Sequence, residues 1–153
     1  MEYLGHIVSH EGVKVDPSKI KAMKEWKIPT SIKHLRVFLG LKGYYRKFVK
    51  NYGKIAAPLT TLLKKDAFSW TPEATKAFEH LKEAMCQAPV LATPNFTKTF
   101  IVECDASGNR IGVVLMQDER PIDFESRPIK GKFLHKAIYE KEMLEILHVL
   151  KKW

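Results

Sequence analysis

Hydrophobic positions along the chain shift from a two-residue spacing to a helical one and back, and each shift marks a change of element. Residues 3–8 and 13–15 are short β-favouring runs around Ser9, His10, Glu11 and Gly12, which predicts a hairpin. A lone hairpin is marginal in water, so this one is expected to lean on neighbouring strands, some of them outside the chain. Asp16 then reads as an N-cap with Pro17 at the first helical position, and Ile20, Met23 and Trp26 follow at three-residue steps until Pro29 stops the pattern. Ser31 caps a second helix with Ile32, Leu35, Phe38 and Leu39 on its apolar face and Lys33, Arg36 and Lys42 elsewhere. Gly40 and Gly43 predict a bend or restart in it. A third helical pattern runs through Ile55, Leu59, Leu62 and Leu63, with Pro58 near its start. These three make a small helical bundle.

Lys64, Lys65 and Asp66 read as a junction. Thr71 and Pro72 then open a fourth helix with Ala74, Ala77, Phe78, Leu81 and Met85 facing inward. Pro89 and Pro94 bracket an extended connection to three strands, at residues 100–104, 111–117 and 121–125, which short polar turns join into an antiparallel meander. The first of those turns holds Asp105, Ala106, Ser107, Gly108 and Asn109, so a carboxylate stands where a sheet can present it. A last helix, over residues 137–152, places Tyr139, Met143, Ile146, Leu147 and Leu150 on one stripe, carries Glu140 and Glu142 near its start, and ends in Lys151 and Lys152 as the helix dipole favours. Trp26 and Trp70 read as core anchors.

Charge alters this picture more than composition does. With 153 residues and 45% hydrophobic content the chain has enough for a packed core. Its net charge of +9 lies wholly in one part: residues 1–66 hold 14 Lys and Arg against 5 Asp and Glu, and residues 67–153 hold 12 against 12. A basic first part points to a polyanion, nucleic acid before an anionic membrane; a merely soluble basic surface is the bland alternative. Cys86 and Cys104 have neither metal-ligand spacing nor a disulfide framework, which suits a reducing compartment. No apolar run of about 18 residues exists to span a membrane, and no signal peptide is evident, so an intracellular location, cytoplasmic or nuclear, is expected. His6 and His10 have i, i+4 numbering, but strand and turn do not juxtapose them as a helix would, and no metal is assigned there.

Several motifs occur together in a recognisable order. Residues 39–49, reading Leu, Gly, Leu, Lys, Gly, Tyr, Tyr, Arg, Lys, Phe, Val, and residues 55–59, reading Ile, Ala, Ala, Pro, Leu, resemble the thumb of gypsy-type LTR retrotransposon reverse transcriptases. Trp70, Phe78 and the run Ala88, Pro89, Val90, Leu91 continue the resemblance. Asp105, Ala106 and Ser107, then Ile111, Gly112, Val114, Leu115 and Gln117, then Tyr139, Glu140, Lys141 and Glu142, resemble the start of the attached RNase H domain. Tyr3, Leu4, Gly5 and His6 are similar to the primer-grip turn at the edge of the polymerase palm. The similarity covers essentially the whole chain.

This resemblance implies an α+β chain: a helical reverse-transcriptase thumb followed by a partial RNase H-like α/β domain of three antiparallel strands and the first helix. The implied division is palm and primer-grip hairpin at 1–15, thumb at 16–66, linking helix and tether at 67–96, and the N-terminal half of the RNase H-like domain at 97–153. It further implies that the polymerase carboxylates lie upstream and the third and fourth RNase H acids downstream. Asp105 and Glu142 become the first two metal-binding catalytic acids for Mg²⁺, Glu142 rather than Glu140 because it directly precedes the apolar run. Two-metal nucleases need several carboxylates around cations about 4 Å apart, so both active sites are expected to be incomplete here. Arg110 stands where that turn usually carries a small residue, and a cation beside Asp105 would compete with metal. Tyr3, Leu4, Gly5, His6, Tyr44, Tyr45, Arg46, Lys47 and Lys50 are the nucleic-acid candidates, with one of the adjacent tyrosines in the core and its neighbour exposed. The implied partners are an RNA/DNA hybrid or primer–template duplex and the remainder of the Pol polyprotein, with self-association possible through an uncovered sheet. A virus-like particle in the cytoplasm is one implied location. A second expectation, from another class, is a degenerate or domesticated copy that binds nucleic acid without catalysis.

Overall fold

A computed structural model describes residues 2–3, 5–107 and 110–128. The first sheet is antiparallel, in the order β1 (Glu2–Tyr3), β2 (His6–Ser9), β3 (Gly12–Val15). The run expected as one strand over residues 3–8 is therefore two, because Gly5 takes φ 79° and turns the chain between them. Gly12, at φ 130°, opens β3 where a Cβ would meet the Leu91 carbonyl oxygen. That close approach lets the connection after the fourth helix join the sheet. Val13 N–H donates to Leu91 O at 2.8 Å and Leu91 N–H to Val13 O at 2.7 Å.

Four helices follow: α1 (Pro17–Lys24), α2 (Ile32–Tyr44), α3 (Tyr52–Thr60) and α4 (Pro72–Cys86), with 3-10 turns at Arg46–Phe48 and Thr61–Leu63. Asp16 accepts from Ser18 N–H at 2.8 Å and Thr71 from Ala74 N–H at 3.1 Å, so both expected caps are in place. Their fully buried side chains, among them Met23, Leu35, Phe38, Phe48, Leu59 and Phe78, form one core with Leu81 and Met85 of α4. Each contributes about 1.5–3 kcal/mol by leaving water. The Phe38 and Phe78 rings lie 4.6 Å apart, with Trp26 and Trp70 packed against them at 5.9 and 6.1 Å.

Three helix details differ from expectation. First, α1 stops at Lys24, before Trp26 and Pro29: the Trp26 N–H bonds Met23 O, three residues back instead of four, which tightens the last turn, and the Trp26 ring packs onto Phe38. Second, α2 runs unbroken through Gly40 and Gly43: Gly40 faces open space, and its helical penalty of about 1 kcal/mol is smaller than the gain from burying Leu35 and Phe38. Third, Pro58 lies in the last turn of α3, where Thr61 Oγ1 donates to Ala57 O at 2.9 Å.

The second sheet is a meander of β4 (Ile101–Ser107), β5 (Arg110–Gln117) and β6 (Arg120–Pro128). Asp105 belongs to β4 and not to the turn, because cross-strand pairing extends to Ser107 opposite Arg110. Ile111, Val113 and Leu115 are buried and alternate with partly exposed neighbours. Two further bonds tie the sheets together. Ala92 N–H donates to Pro121 O at 2.7 Å, and Arg120 donates to Glu11 O. The helix expected over residues 137–152, Glu142 included, lies outside the described residues, and no helix among those described is long and apolar enough to cross a membrane.

Candidate functional site

Strand register sets the site. Asp105 is the Cα partner of Gly112, and Gly112 of Ser126, so the three make one row across β4, β5 and β6. Side chains of one row share a face of the sheet. The helical half closes on that face. A Cβ on Gly112 would lie 2.6 Å from Asn51 Oδ1, and one on Gly53 would lie 2.6 Å from Arg110 Nη1 and 2.8 Å from Ser126 Oγ. Glycine at both positions lets α3 and the sheet meet backbone to backbone. Asn51, the residue before α3, takes the left-handed conformation at φ 58°, which asparagine tolerates better than most residues. Gly53 N–H donates to Ser126 Oγ at 3.1 Å.

Asp105 is exposed at the end of this row and opens onto a cavity of about 90 Å³ that Lys50, Asn51 and Glu103 also line. Arg110, expected to crowd Asp105, extends its guanidinium to Gly53 of α3. Arg46 donates to Ser126 O, lies 3.9 Å from the Glu125 carboxylate and holds its guanidinium 5.5 Å above the Tyr52 ring. It clasps α3 to β6. Burial raises the Tyr52 hydroxyl pKa above its ordinary value, and the Arg46 charge partly offsets that.

The expected nucleic-acid residues fall into two groups. Tyr45 is 2% exposed and His6 7%, and the His6 ring packs 5.4 Å from Tyr45 and 5.2 Å from Phe48. Both are core residues joining the first sheet to the bundle. A Cβ on Gly5 would collide with the Tyr45 hydroxyl, so the β1–β2 turn also rests on that tyrosine. Burial first, and the nearby Lys47 ammonium second, lower the His6 pKa. Lys47 is partly buried with its ammonium 5.5 Å from the Phe48 ring, and Lys50 is exposed. Tyr3 sits in β1 and Tyr44 ends α2, while Leu4 lies outside the described residues.

Asp105 has few partners for metal chemistry. Among the described residues no three His, Cys, Asp or Glu side chains converge in a metal-binding group. Asp105 brings one carboxylate, and the described donor set does not fit Mg²⁺ by itself.

Sequence reasoning named Gln117 within the resemblance but gave it no role; it is a 4% exposed polar side chain at the end of β5. Its Oε1 accepts from Asn95 N–H at 2.8 Å, and its Nε2 donates to Asn95 O at 2.8 Å and Lys98 O at 3.1 Å. It fastens the connection from α4 to the sheet that carries Asp105.

Known proteins resemble this chain in sequence and fold. A family model for the RNase H-like domain found in reverse transcriptase matches residues 70–153. The retrovirus-related Pol polyprotein from transposon 297 of Drosophila melanogaster is 44% identical over 151 residues, which is 97% of this chain and 14% of that polyprotein. The one from transposon gypsy of the same organism is 39% identical over 165 residues, covering 99% of this chain and 16% of that polyprotein. A solved foamy viral protease-reverse transcriptase in complex with RNA/DNA hybrid superposes with a TM-score of 0.88 at 23% identity, over 99% of this chain and 21% of that one. The chain thus spans about a seventh of the curated polyproteins it resembles and shares its fold with the viral enzyme.

Proposed function

Because the chain belongs to the RNase H-like family found in reverse transcriptase and is a segment of a retrotransposon Pol polyprotein, we propose that it grips a primer–template duplex through its helical half and contributes Asp105 and Glu142 to hydrolysis of the RNA strand in an RNA/DNA hybrid. The observation that carries this reading is the row Asp105, Gly112, Ser126, which holds an exposed carboxylate on a paired strand against a basic helical element. A carboxylate fixed by strand pairing stays put as charge builds on a scissile phosphate. Lys50 beside it offers a cation to the same phosphate backbone.

RNase H-like domains typically use a divalent metal. Asp105 and Glu142 are this chain's candidates to hold one, and further acids would come from the remainder of the Pol polyprotein, as two-metal hydrolysis requires several. The RNA/DNA hybrid bound by the foamy viral neighbour supports the substrate class. Such work belongs inside the cell, in cytoplasm or nucleus, where the thiols of Cys86 and Cys104 would stay reduced.

The test is Asp105→Asn in a longer Pol polypeptide that contains this chain and hydrolyses hybrid RNA in Mg²⁺. The isosteric amide is expected to lower hydrolysis by about a hundredfold or more, the scale of losing one group aligned with transition-state charge, with hybrid affinity changed little. Hydrolysis at the unsubstituted rate would remove Asp105 from the mechanism.

A further inference from the structure

A trough leads away from Asp105 that the hydrolysis reading does not use. Next to the 90 Å³ cavity at Asp105, a groove of about 610 Å³ lies between α3 and α4, and a third hollow of about 360 Å³ adjoins it near His80. Lys50 lines all three, so they adjoin at one cationic residue. The groove has a particular chemistry. Ile55, Pro58 and Ala77 form an apolar floor, and Lys54 from α3 and Lys76 from α4 stand on opposite rims. With Lys50, three ammoniums line it against the single carboxylate of Glu73.

An apolar floor between cationic rims fits a chain of sugars bearing phosphates: the sugar and base faces lie on the floor and the phosphates meet the lysines. The size argues for one strand. About 610 Å³ is the scale of a small-ligand pocket, room for a nucleotide or two and too little for the paired strands of a duplex.

We propose that the α3–α4 groove is a separate subsite for the sugar-phosphate backbone of a single strand, held by Lys54 and Lys76, with Lys50 passing that strand to Asp105. The inference rests on the function proposed above and adds the path by which one strand of the hybrid reaches or leaves the acid. It also gives the helical half a role at the nuclease end.

The experiment titrates fluorescent RNA/DNA hybrid carrying a single-stranded overhang against the whole 153-residue chain across a salt series. Lys54→Gln/Lys76→Gln is compared with Lys64→Gln/Lys65→Gln, an equal loss of charge at the exposed junction before α4. Matched melting curves confirm that each variant folds. Each lysine that contacts a phosphate of a single strand changes the slope of log affinity against log salt by about 0.7. The groove pair is expected to shallow the slope by about 1.4 and the junction pair by less than about 0.7. Equal effects of the two pairs would overturn the subsite and leave the proposed function standing. Failure of the unsubstituted chain to bind hybrid at low salt would overturn the proposed function and the subsite with it.

Discussion

Replacing Gln117 with leucine is expected to loosen the connection between α4 and the second sheet. The side chain is 4% exposed and makes three hydrogen bonds, one from Asn95 N–H and one each to Asn95 O and Lys98 O. Leucine fills a similar volume but leaves one donor and two acceptors without their partner. Each net bond contributes about 0.5–1.5 kcal/mol, giving about 1.5–4.5 kcal/mol in all. Asn95 and Lys98 are exposed, so water reaches some of the freed groups and the loss should fall near about 2 kcal/mol. For a chain of this size that lowers Tm by about 4–8 °C. Gln117→Glu is the sharper probe. It keeps the acceptor for Asn95 N–H and sets a second oxygen against two carbonyl oxygens, so the carboxyl is held above its unfolded value of about 4.3. A raised folded-state pKa contributes stability that is present below the unfolded value and lost as pH rises through the folded one. Gln117→Glu should therefore melt closer to the unsubstituted chain at about pH 4 than at about pH 7. Melting curves by circular dichroism at both pH values read out both variants. A Gln117→Leu chain that melts within about 1 °C of the original, or a Gln117→Glu chain with no extra pH dependence, would refute the role given to this amide.

Other outcomes follow from the same contacts. Gly112→Ala puts a methyl 2.6 Å from Asn51 Oδ1 and should cost about 1–3 kcal/mol as overpacking; adding Asn51→Ala should recover most of it in a double-mutant cycle read by urea unfolding. Arg46→Ala removes the charge that lowers the Tyr52 pKa against the effect of burial, so ultraviolet titration of the phenol should show Tyr52 ionising at still higher pH. The lowered His6 pKa gives stability that is present above the unfolded value of about 6.5 and lost as pH falls through the folded one. Urea midpoints should thus drop between about pH 7.5 and about pH 5, and His6→Phe, which keeps a ring against Tyr45 and Phe48, should flatten that drop.

What was legible in the sequence was what local chemistry decides. Asp16 before Pro17 and Thr71 before Pro72 are complete start signals within two residues, and the inward stripe of α4 repeats often enough to identify every buried position on it. The glycines of α2 misled because a local penalty of about 1 kcal/mol reads as a break until the tertiary burial of Leu35 and Phe38 is weighed against it. Asp105 looked like a turn residue by composition, and only pairing with Gly112 extends the strand through it. Tyr45, Arg46 and His6 carried the right residue types for nucleic acid, but no local pattern says which side of a 3-10 turn Tyr45 and Arg46 take, or which face of its short strand His6 turns to the core. The structure commits Tyr45 and His6 to the core and Arg46 to Ser126. Gln117 could have been found by parity, since it falls on the same alternate positions as Ile111, Val113 and Leu115. Gly53 and Ser126 come together across 73 residues of chain, with Asn51 and Gly112 beside them, and such contacts leave no local trace.

The most direct measurement is a titration of fluorescent RNA/DNA hybrid against the 153-residue chain at two salt concentrations with Mg²⁺ present, followed by a gel of the RNA. Binding that weakens steeply with salt while the RNA stays intact is the expected result, because on the proposed function the helical half would meet phosphates and Asp105 with Glu142 would be only part of a hydrolytic acid set. Absence of binding at low salt, or RNA cleaved equally well by the Asp105→Asn chain, would contradict it.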